Sequence, residues 1–368
     1  MEINKKIGLL TFHTPDNYGA VFQAFALQTY IQKTLGKDIE IINFCTQKHI
    51  NAYSIFKKRS NNTIKNIILQ LITLTKYFQF KEKKNKFKKF RDKFLTISNK
   101  RYYSEEEFLQ HNERYHTYLV GSDQVFNPRN EYYKTYYLAF PKNGCRKVAY
   151  APSFGISDFD NDTTSKIKPY LEDFDTLSCR ELQGAEYLTK ILGRKINSVV
   201  DPVFLIEHKI WEEISIAPKE KEKYIFIYDL VGGKNLIEVA NKIAKKHQNI
   251  KIICATTQIK MKYKNCDMRF NIGPRELLGY IKNAEYVITD SFHGTSLSLI
   301  MHKKIITYIA LPHVASRITT IMSNLGTSEQ VVRNIEDFNI DKIIFNSYDD
   351  KLKSLVAKSK EYLNNSLS

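Results

Sequence analysis

Residues 6–44 read KIGLLTFHTPDNYGAVFQAFALQTYIQKTLGKDIEIINF. The apolar run at 6–12 predicts a strand, and the polar segment 13–19 predicts a loop that leads into a helix at 20–35. A second strand is predicted at 38–44. Since a strand–helix–strand unit with a short loop begins a parallel sheet, this stretch predicts an α/β fold.

The rest of the first half continues the same pattern. Further strands are predicted at 118–120, 146–150, 176–178 and 198–200. Each of them ends in small or polar residues, and open α/β sheets bind ligands at the carboxyl ends of their strands. The sequence therefore predicts a Rossmann-like domain over residues 1–206, with its functional side chains at these strand ends.

A second pattern of the same kind begins near residue 223. Its predicted elements are strands at 224–230, 251–255, 286–289 and 304–309, and helices at 234–247, 274–282 and from 290 onward. The proline-containing segment 207–222 is predicted to be a linker. The simplest architecture is two Rossmann-like domains that face a cleft, at 1–206 and 223–335, followed by a helical segment at 336–368.

The chain has 368 residues, of which 43% are hydrophobic, so it is long and apolar enough for two globular domains. Its five cysteines are scattered and form no C-x-x-C pair, which favours a reducing compartment over a disulfide framework or a zinc site. The N-terminal apolar run lacks a small-residue cleavage site, and no run approaches the roughly 18 apolar residues that span a bilayer. We therefore expect a cytoplasmic protein.

The formal net charge is +17, and most of it lies in residues 57–101, which hold 15 Lys and Arg against two acidic residues. In this segment Phe80, Phe87 and Phe94 recur every seven residues, which predicts an amphipathic helix with its rings on one face. The stretch 64–72 predicts a helix before it. The segment is therefore expected to form a basic helical hairpin that is inserted in the first domain.

Three interpretations of this hairpin are open. In the first, the hairpin is solvated and its phenylalanines pack on their own domain. In the second, its clustered Lys and Arg bind the surface of an anionic membrane. The third is nucleic-acid binding, which we do not expect, because no helix-turn-helix, zinc finger or RNA-recognition motif accompanies the charge.

The strongest local signal for a site is ITDSFHGTSLSL at 288–299. A strand ends here, Gly294 allows a tight turn, and hydroxyl residues cap the next helix, whose free N–H groups and dipole attract an anion. His293 lies at this turn, where an imidazole can donate a proton or steady a phosphate. The alternative is a plain helix cap with a surface histidine. The stretch lacks the lysine of a P-loop and the glycine spacing of a dinucleotide site.

Other strand ends offer further candidates. Arg180 presents a planar fork to a carboxylate or phosphate, unless it pairs with Glu181 or another acid, and Arg317 is a second candidate of this kind. Asp123 is a candidate base or a ligand for sugar hydroxyls, with helix capping as the alternative. The polar loop 14–20 is another candidate site, and ordinary capping by its Asp or Asn is again the alternative.

Metal and hydrolase sites are not supported. The nine histidines are dispersed and form no H-E-x-x-H or H-x-x-x-H pair. The sequence also lacks the G-x-S-x-G elbow of a Ser-His-Asp hydrolase. We therefore expect no metal and no bound cofactor.

Seven short motifs follow one another at residues 8–13, 17–28, 120–128, 150–155, 178–181, 200–203 and 289–295. In this order they resemble the polysaccharide pyruvyl transferase family, over residues 7 to about 326. The resemblance implies a fold like that of two-domain glycosyltransferases, with the acceptor on the first domain and the donor on the second. It also implies a ketal pyruvyltransferase, which attaches pyruvate from phosphoenolpyruvate to two hydroxyls of one sugar in capsule, exopolysaccharide or cell-wall glycans.

The resemblance also implies roles for residues. His293 is expected to hold the phosphate and to protonate the methylene carbon or the departing phosphate oxygen, and Asp123 to take the proton of the attacking hydroxyl. The other expected donor-site residues are Arg180, Ser291, Gly294, Thr295, Ser296 and Arg317. The expected acceptor-site residues are Asp16, Asn17, Tyr18 and Tyr150. Phosphoenolpyruvate is then a co-substrate. A lipid-linked sugar acceptor at the inner face of the cytoplasmic membrane would suit the basic hairpin.

One position departs from the family pattern. Many members carry an arginine two residues before the histidine, where this chain has Ser291. Either Arg317 or another cation compensates, or the donor differs. The alternative activity is a glycosyltransferase of the same two-domain fold with a nucleotide-sugar donor, and a third is a non-catalytic protein that binds an anion or a glycan.

Overall fold

The structure is a computed structural model that describes residues 6–111, 115–156, 159–247, 250–259, 263–310 and 312–368. The strands of these residues are β1 (Ile7–Leu10), β2 (Ile39–Phe44), β3 (Ile97–Tyr102), β4 (Thr117–Val120), β5 (Arg146–Ala149), β6 (Thr176–Cys179), β7 (Asn197–Ser198), β8 (Tyr224–Asp229), β9 (Lys251–Thr256), β10 (Asp267–Arg269), β11 (Tyr286–Thr289), β12 (Lys304–Tyr308) and β13 (Val331–Val332).

The α-helices of the same residues are α1 (Tyr18–Thr29), α2 (Gln47–Ala52), α3 (Thr63–Thr75), α4 (Tyr77–Phe94), α5 (Glu105–His111), α6 (Tyr133–Tyr136), α7 (Asn161–Glu172), α8 (Leu182–Leu192), α9 (His208–Ile214), α10 (Lys234–Ala244), α11 (Pro274–Asn283), α12 (Phe292–Ile300), α13 (Pro312–Leu325) and α14 (Asp349–Leu367). No helix in these ranges is both long enough and apolar enough to span a bilayer.

The chain divides into two compact units. The first consists of Met1–Asn51, Arg91–Ile206 and Asp350–Ser368, and the second of Ala52–Phe90 and Glu207–Asp349. The first unit holds a seven-stranded parallel sheet in the order β3-β2-β1-β4-β5-β6-β7. The strand order reverses between β1 and β4, and doubly wound sheets bind ligands at the carboxyl ends of strands beside such a switch point.

The core of the first unit is built largely from aromatic rings. Phe108 is fully buried, and its ring meets Tyr102 edge-on at a centroid distance of 5.2 Å and Phe140 at 5.9 Å. Phe126 stacks on Tyr137 at 4.7 Å. Offset and edge-on arrangements of this kind are those that the quadrupole of an aromatic ring favours.

The second unit holds a six-stranded parallel sheet in the order β10-β9-β8-β11-β12-β13. Every residue of β8 and β11 is buried, as expected for central strands that helices cover on both faces. The switch point of this sheet lies between β8 and β11. The predicted fold, two Rossmann-like α/β units, is therefore confirmed.

The basic hairpin belongs to a different unit from the one predicted. Helix α3 and most of α4 belong to the second unit and not to the first. The Lys86 ammonium donates to the backbone carbonyl of Asn271 at 3.0 Å and pairs with Glu276 at 3.1 Å, and the Phe80 ring meets Phe270 edge-on at 5.8 Å. These contacts join segments that are far apart in sequence, so local patterns could not reveal them.

The C-terminal helix α14 was predicted as part of a separate segment at 336–368, but almost all of it belongs to the first unit. The Arg146 guanidinium donates to the backbone carbonyls of Ser366 and Ser368, at 2.9 and 2.6 Å. The Ser359 hydroxyl accepts the Val200 N–H at 3.0 Å. The helix thus returns the chain to the first unit, where it contacts β5 and the residues after β7, and is no separate segment.

Candidate functional site

In the second unit, the turn from β11 to α12 is the candidate anion site. Ser291 is the N-cap of α12, and its hydroxyl oxygen accepts the Gly294 N–H at 3.3 Å, while its own N–H donates to Thr289 Oγ1 at 3.0 Å. A Cβ at Gly294 would lie 2.6 Å from Thr289 Oγ1 and 2.8 Å from Tyr228 Cδ1. Glycine is therefore what allows the first turn of α12 to approach β8 and β11 so closely.

His293 is the second residue of α12 and is 9% exposed, with its ring edge-on to Phe292 at 5.2 Å. It thus lies in the first turn, where helix N–H groups and the positive end of the dipole are concentrated. Thr295 and Ser296 are fully buried, and their hydroxyls donate back to the carbonyls of Ser291 and Phe292. These two hydroxyls therefore donate within the helix, and a role for Thr295 and Ser296 at the donor site stays a prediction.

Asp290 ties this turn to the loop after β8. Its two carboxylate oxygens accept the N–H groups of Leu230 and Val231, each at 2.9 Å. Burial raises the pKa of Asp290 to about 6, although these backbone hydrogen bonds act in the opposite direction. Because β8 and β11 flank the switch point, this carboxyl holds together the edge at which a ligand is expected.

Asp229, the last residue of β8, forms the second buried carboxyl at this edge. It accepts hydrogen bonds from the Gly232 N–H at 2.8 Å, the Thr256 hydroxyl at 3.0 Å and the Tyr263 hydroxyl at 3.1 Å. Burial raises the pKa of Asp229 as well. Sequence reasoning assigned no role to Asp229 or Asp290, although each is an acid at the end of a buried strand, Asp229 as the last residue of β8 and Asp290 directly after β11.

Arg317 belongs to the same unit as His293. It lies on α13, which packs against α12, and it is 9% exposed. The structure thus places this arginine on the helix next to the candidate turn. It is the one predicted donor-site arginine that shares a unit with His293.

In the first unit, the polar residues that follow β4, β5 and β6 meet in one cluster. Arg180, after β6, donates from Nη1 to Asp201 Oδ2 at 2.7 Å, and its Nε lies 3.5 Å from Glu181 Oε1. Ser122, after β4, donates to the same oxygen of Asp201 at 3.0 Å. Ser153, after β5, donates to Glu181 at 2.5 Å. The strand ends that the sequence singles out therefore do come together.

This cluster changes the interpretation of Arg180. Burial lowers the pKa of its guanidinium, but the charges of Glu181 and Asp201 outweigh burial and raise the pKa overall. Arg180 is only 6% exposed, and its fork faces carboxylates of its own unit. The ion pair named as the alternative to anion binding is the arrangement that the structure contains, and Arg180 lies in the first unit while His293 lies in the second.

Asp123 has a strained backbone at the end of β4. Its φ of 73° lies in the left-handed region, and Ala151, after β5, has a φ of 54°. Such conformations cost a non-glycine residue about 1–3 kcal/mol and are concentrated at functional sites. The Asp123 carboxylate is half-buried and accepts the Gln124 N–H at 2.9 Å, which is the capping arrangement. A role for Asp123 as a base remains a prediction.

The family model described as polysaccharide pyruvyl transferase matches residues 17–310, a range that includes both strand-end clusters. The chain belongs to this family. The resemblance drawn from the order of the seven motifs is thereby confirmed. No curated protein matches the sequence.

Solved structures resemble this chain only weakly. A putative UDP-N-acetylglucosamine 2-epimerase from Listeria monocytogenes has a TM-score of 0.49 and 10% identity, over 99% of this chain and 90% of its own. The UDP-GlcNAc 2-epimerase from Neisseria meningitidis, bound to UDP-GlcNAc, has a TM-score of 0.48 and 10% identity, over 99% and 94%. The E. coli heptosyltransferase WaaC with ADP-2-deoxy-2-fluoro heptose has a TM-score of 0.37 and 11% identity, over 82% of this chain and 88% of its own. Similarity at this level does not bear on the substrate.

The residues predicted for the acceptor site lie in the first unit, in two different settings. Asn17 is the N-cap of α1 and accepts the Ala20 N–H at 3.2 Å, and Asp16 pairs with Arg91 at 2.9 Å. Tyr18 and Tyr150 are buried. Tyr150 is completely enclosed and donates to the Val200 carbonyl at 3.0 Å, so it supports the strand end and does not contact a sugar in this conformation.

His13 also lies at the end of β1, and sequence reasoning gave it no role. Its Nδ1 donates to the Thr11 carbonyl at 3.1 Å, and burial lowers its pKa to about 4, so the imidazole is neutral near pH 7. Arg91, the partner of Asp16, was missed because only long-range folding brings it to this loop. Within the described ranges, no group of three or more His, Cys, Asp or Glu residues is placed to hold a metal ion.

Proposed function

We propose that this pyruvyl transferase moves the pyruvyl group of phosphoenolpyruvate onto two hydroxyls of one sugar, in a bacterial surface glycan or its lipid-linked precursor. The observation that carries the proposal is the family match over both units together with the turn at 289–294, which places His293 in the first turn of α12. A helix N-terminus beside a switch point suits a phosphate, and a histidine there suits proton transfer.

The overall reaction balances without a redox partner. Two sugar oxygens bond to the central carbon of phosphoenolpyruvate, and the bond from that carbon to the phosphate oxygen breaks. Of the two hydroxyl protons released, one ends on the methylene carbon, which becomes a methyl group, and the other ends on the departing phosphate. An acid that protonates the carbon and a base that accepts hydroxyl protons therefore account for the catalysis.

His293 is the proposed acid and phosphate ligand. Its place in the first turn of α12 brings a titratable proton donor beside N–H groups that favour an anion. Ser291 takes the position of the arginine found in many relatives, and it serves here as the N-cap. The cation that balances the phosphate is then proposed to be Arg317, on the neighbouring helix of the same unit.

Asp123 is the proposed base on the acceptor side. Its carboxylate is half-buried, and its strained backbone holds it at the end of β4, beside the switch point of the first sheet. The loop that contains Asp16 and Asn17 follows β1 at the same switch point and is the proposed place of the sugar. Arg180, whose fork already faces Asp201 and Glu181, is not assigned to the phosphate.

The test is a calorimetric titration of the purified chain with phosphoenolpyruvate, with UDP-sugars and GDP-sugars as controls. We expect saturable binding of phosphoenolpyruvate, weakened at least about tenfold in Arg317→Gln because a charge-assisted contact is lost. Gln183→Ala, at an exposed position in the first unit, is the matched control and should bind as the unaltered chain does. Binding of a nucleotide sugar with no response to phosphoenolpyruvate would instead assign the chain to the glycosyltransferase alternative.

A further inference from the structure

One face of the basic hairpin is apolar and exposed. It consists of Ile64, Ile67, Ile68, Leu71 and Leu74 of α3 together with Phe78 at the start of α4, and each of these side chains is between 51% and 82% exposed. The five residues of α3 have the spacing of a single helical face. We call this set the α3 face. Soluble surfaces rarely carry so many large apolar side chains together without a binding partner.

The opposite side of α3 is held in place. Leu69 and Thr73 are buried, and Asn62 caps the helix by accepting the Lys65 N–H at 2.9 Å. The Gln70 side-chain amide donates to the backbone carbonyls of Phe56 and Lys57, at 3.3 and 3.0 Å. The α3 face is therefore the outward side of an anchored helix, and its exposure is a property of the packing.

The phenylalanine stripe of α4, in contrast, is turned inward. Phe87 and Phe90 are almost completely buried, and Phe80 packs against Phe270. Phe80 thus packs within the second unit, whereas one interpretation of the sequence had the stripe packing on the first domain. The surface that is free to meet another partner belongs to α3 and lies outside the predicted stripe.

The segment that carries the α3 face is strongly basic. The segment Ala52–Phe90 contains 11 Lys and Arg against a single acid, Glu82, a net charge of +10. Only one of these charges, Lys65, lies within α3. An apolar face on a basic segment complements the surface of an anionic bilayer, in which acyl chains lie beneath negative headgroups.

We propose that the α3 face docks on an anionic lipid bilayer, with its apolar side chains below the headgroups and the exposed lysines of the segment Ala52–Phe90 among them. Helix α3 lies in the plane of the interface, since its 13 residues are too few to cross the hydrocarbon core. A second copy of the chain fits the face less well, because two segments that each have a net charge of +10 would then meet and repel each other. This inference rests on the surface alone and does not depend on the proposed reaction.

The test is flotation of the full chain with phosphatidylcholine vesicles, with and without about a third of phosphatidylglycerol. We expect the unaltered chain to bind only the anionic vesicles. The double variant Ile67→Gln, Leu71→Gln should partition at least about tenfold more weakly, because two apolar side chains that would be buried in the bilayer are lost. Ile344→Gln, which changes an exposed apolar residue elsewhere in the second unit, is the matched control and should bind normally. All of these side chains are exposed, so the variants should fold.

A fluorescence reporter tests the geometry directly. The chain has a single tryptophan, Trp211, which is fully buried. Phe78→Trp should show a blue shift with anionic vesicles and quenching by lipids brominated on the acyl chains, whereas Ile344→Trp should show neither.

Three outcomes would overturn the proposal. One is the absence of binding to anionic vesicles, and another is binding that the double variant leaves unchanged, which would mean that charge alone acts. The third is a dimer in sedimentation that the double variant dissociates, which would identify a second copy as the partner. Turnover of phosphoenolpyruvate with a water-soluble sugar should be the same in the double variant, so a failure of the proposed reaction is distinguishable from a failure of docking.

Discussion

Two strand-to-helix turns in the two units share one backbone plan. Residues 179–184 lead from β6 into α8, and residues 289–294 lead from β11 into α12. In both turns one residue follows the strand, the next is the N-cap, and the third residue of the helix is a glycine, Gly184 or Gly294. A side chain at either glycine would collide with the end of its own strand.

The turns differ in the residue that follows the strand. In the first turn this residue is Arg180, whose buried charge is balanced by Asp201 and Glu181. In the second it is Asp290, whose carboxylate is satisfied by backbone N–H groups of the neighbouring loop. The same backbone therefore supports buried ion pairs of Arg180 in one unit and, in the other, a turn with His293 at a helix N-terminus. The chemistry is set by side chains and not by the turn.

The largest expected difference between the turns is in catalysis. His293→Ala should lower kcat about 10²- to 10⁴-fold, the usual contribution of a general acid, as measured by release of inorganic phosphate from phosphoenolpyruvate with a sugar acceptor. Gln183→Ala removes the residue at the same helical position of the first turn and should leave kcat unchanged. Near-normal turnover by His293→Ala would refute the role proposed for this histidine.

The second prediction tests the buried ion pair between Arg180 and Asp201. Asp201→Ala should lower the free energy of unfolding by about 3–5 kcal/mol, because it leaves the Arg180 charge buried without its main partner. Urea titration followed by circular dichroism measures this change. The control is Glu131→Ala, which removes the partner of Lys48 in an exposed pair of the same unit and should leave the free energy of unfolding almost unchanged, because solvent screens the pair. Equal costs for the two variants would mean that the Arg180 pair is solvated.

The third prediction concerns the buried carboxyl of the second turn. Burial raises the pKa of Asp290 from its ordinary value of 3.8 to about 6, so the folded state binds its proton more tightly than the unfolded state does. The resulting stabilisation is fully present below about pH 3.8 and is lost as the pH rises through about 6, a change of about 3 kcal/mol. The difference in unfolding free energy between the unaltered chain and Asp290→Asn should therefore decrease over this pH range.

Asp175 in the first unit provides a control, because its pKa is shifted in the opposite direction from that of Asp290. Burial raises its pKa, but the Lys142 side chain and the Lys147 N–H outweigh burial and lower the pKa overall. Its contribution to stability is therefore present at neutral pH and is lost as the pH falls through its folded-state pKa. A curve for Asp290→Asn that runs parallel to that of the unaltered chain would show that Asp290 is not the group responsible.

Local patterns in the sequence predicted much of this molecule, because they depend on short-range physics. The run at 224–230 predicted a strand, and β8 confirms it. The turn at 288–299 showed a strand end, a cap and a glycine, each of which has a local cause. The family followed from the order of such local motifs along the chain.

Long-range partners could not be predicted in the same way. Arg180 was visible next to Glu181, but the closer carboxylate belongs to Asp201, 21 positions further along the chain. The hairpin was placed in the wrong unit because Lys86 meets Asn271 across 185 positions. Periodicity also shows that a helix has an apolar face without showing which way the face points, so the exposed face of α3 became visible only in the structure.

The smallest expected effect concerns the two glycines. A Cβ at Gly184 would lie 2.5 Å from the Cys179 sulfur, whereas one at Gly294 would lie 2.6 Å from Thr289 Oγ1 and 2.8 Å from the Tyr228 ring. The Thr289 hydroxyl donates to the Tyr228 carbonyl at 2.7 Å, so it cannot move away without the loss of a hydrogen bond.

Gly294→Ala should therefore destabilise the second unit by about 1–3 kcal/mol, as overpacking of a core does, measured by urea titration with Trp211 fluorescence. Gly184→Ala should cost less, because the Cys179 sulfur is its only contact below 3.0 Å, whereas Gly294 has two such contacts. Adding Cys179→Ala to Gly184→Ala removes that sulfur and should restore part of the loss, which circular dichroism would detect. If the two single variants cost the same, the turns are equally tight, and the difference between them lies in charge alone.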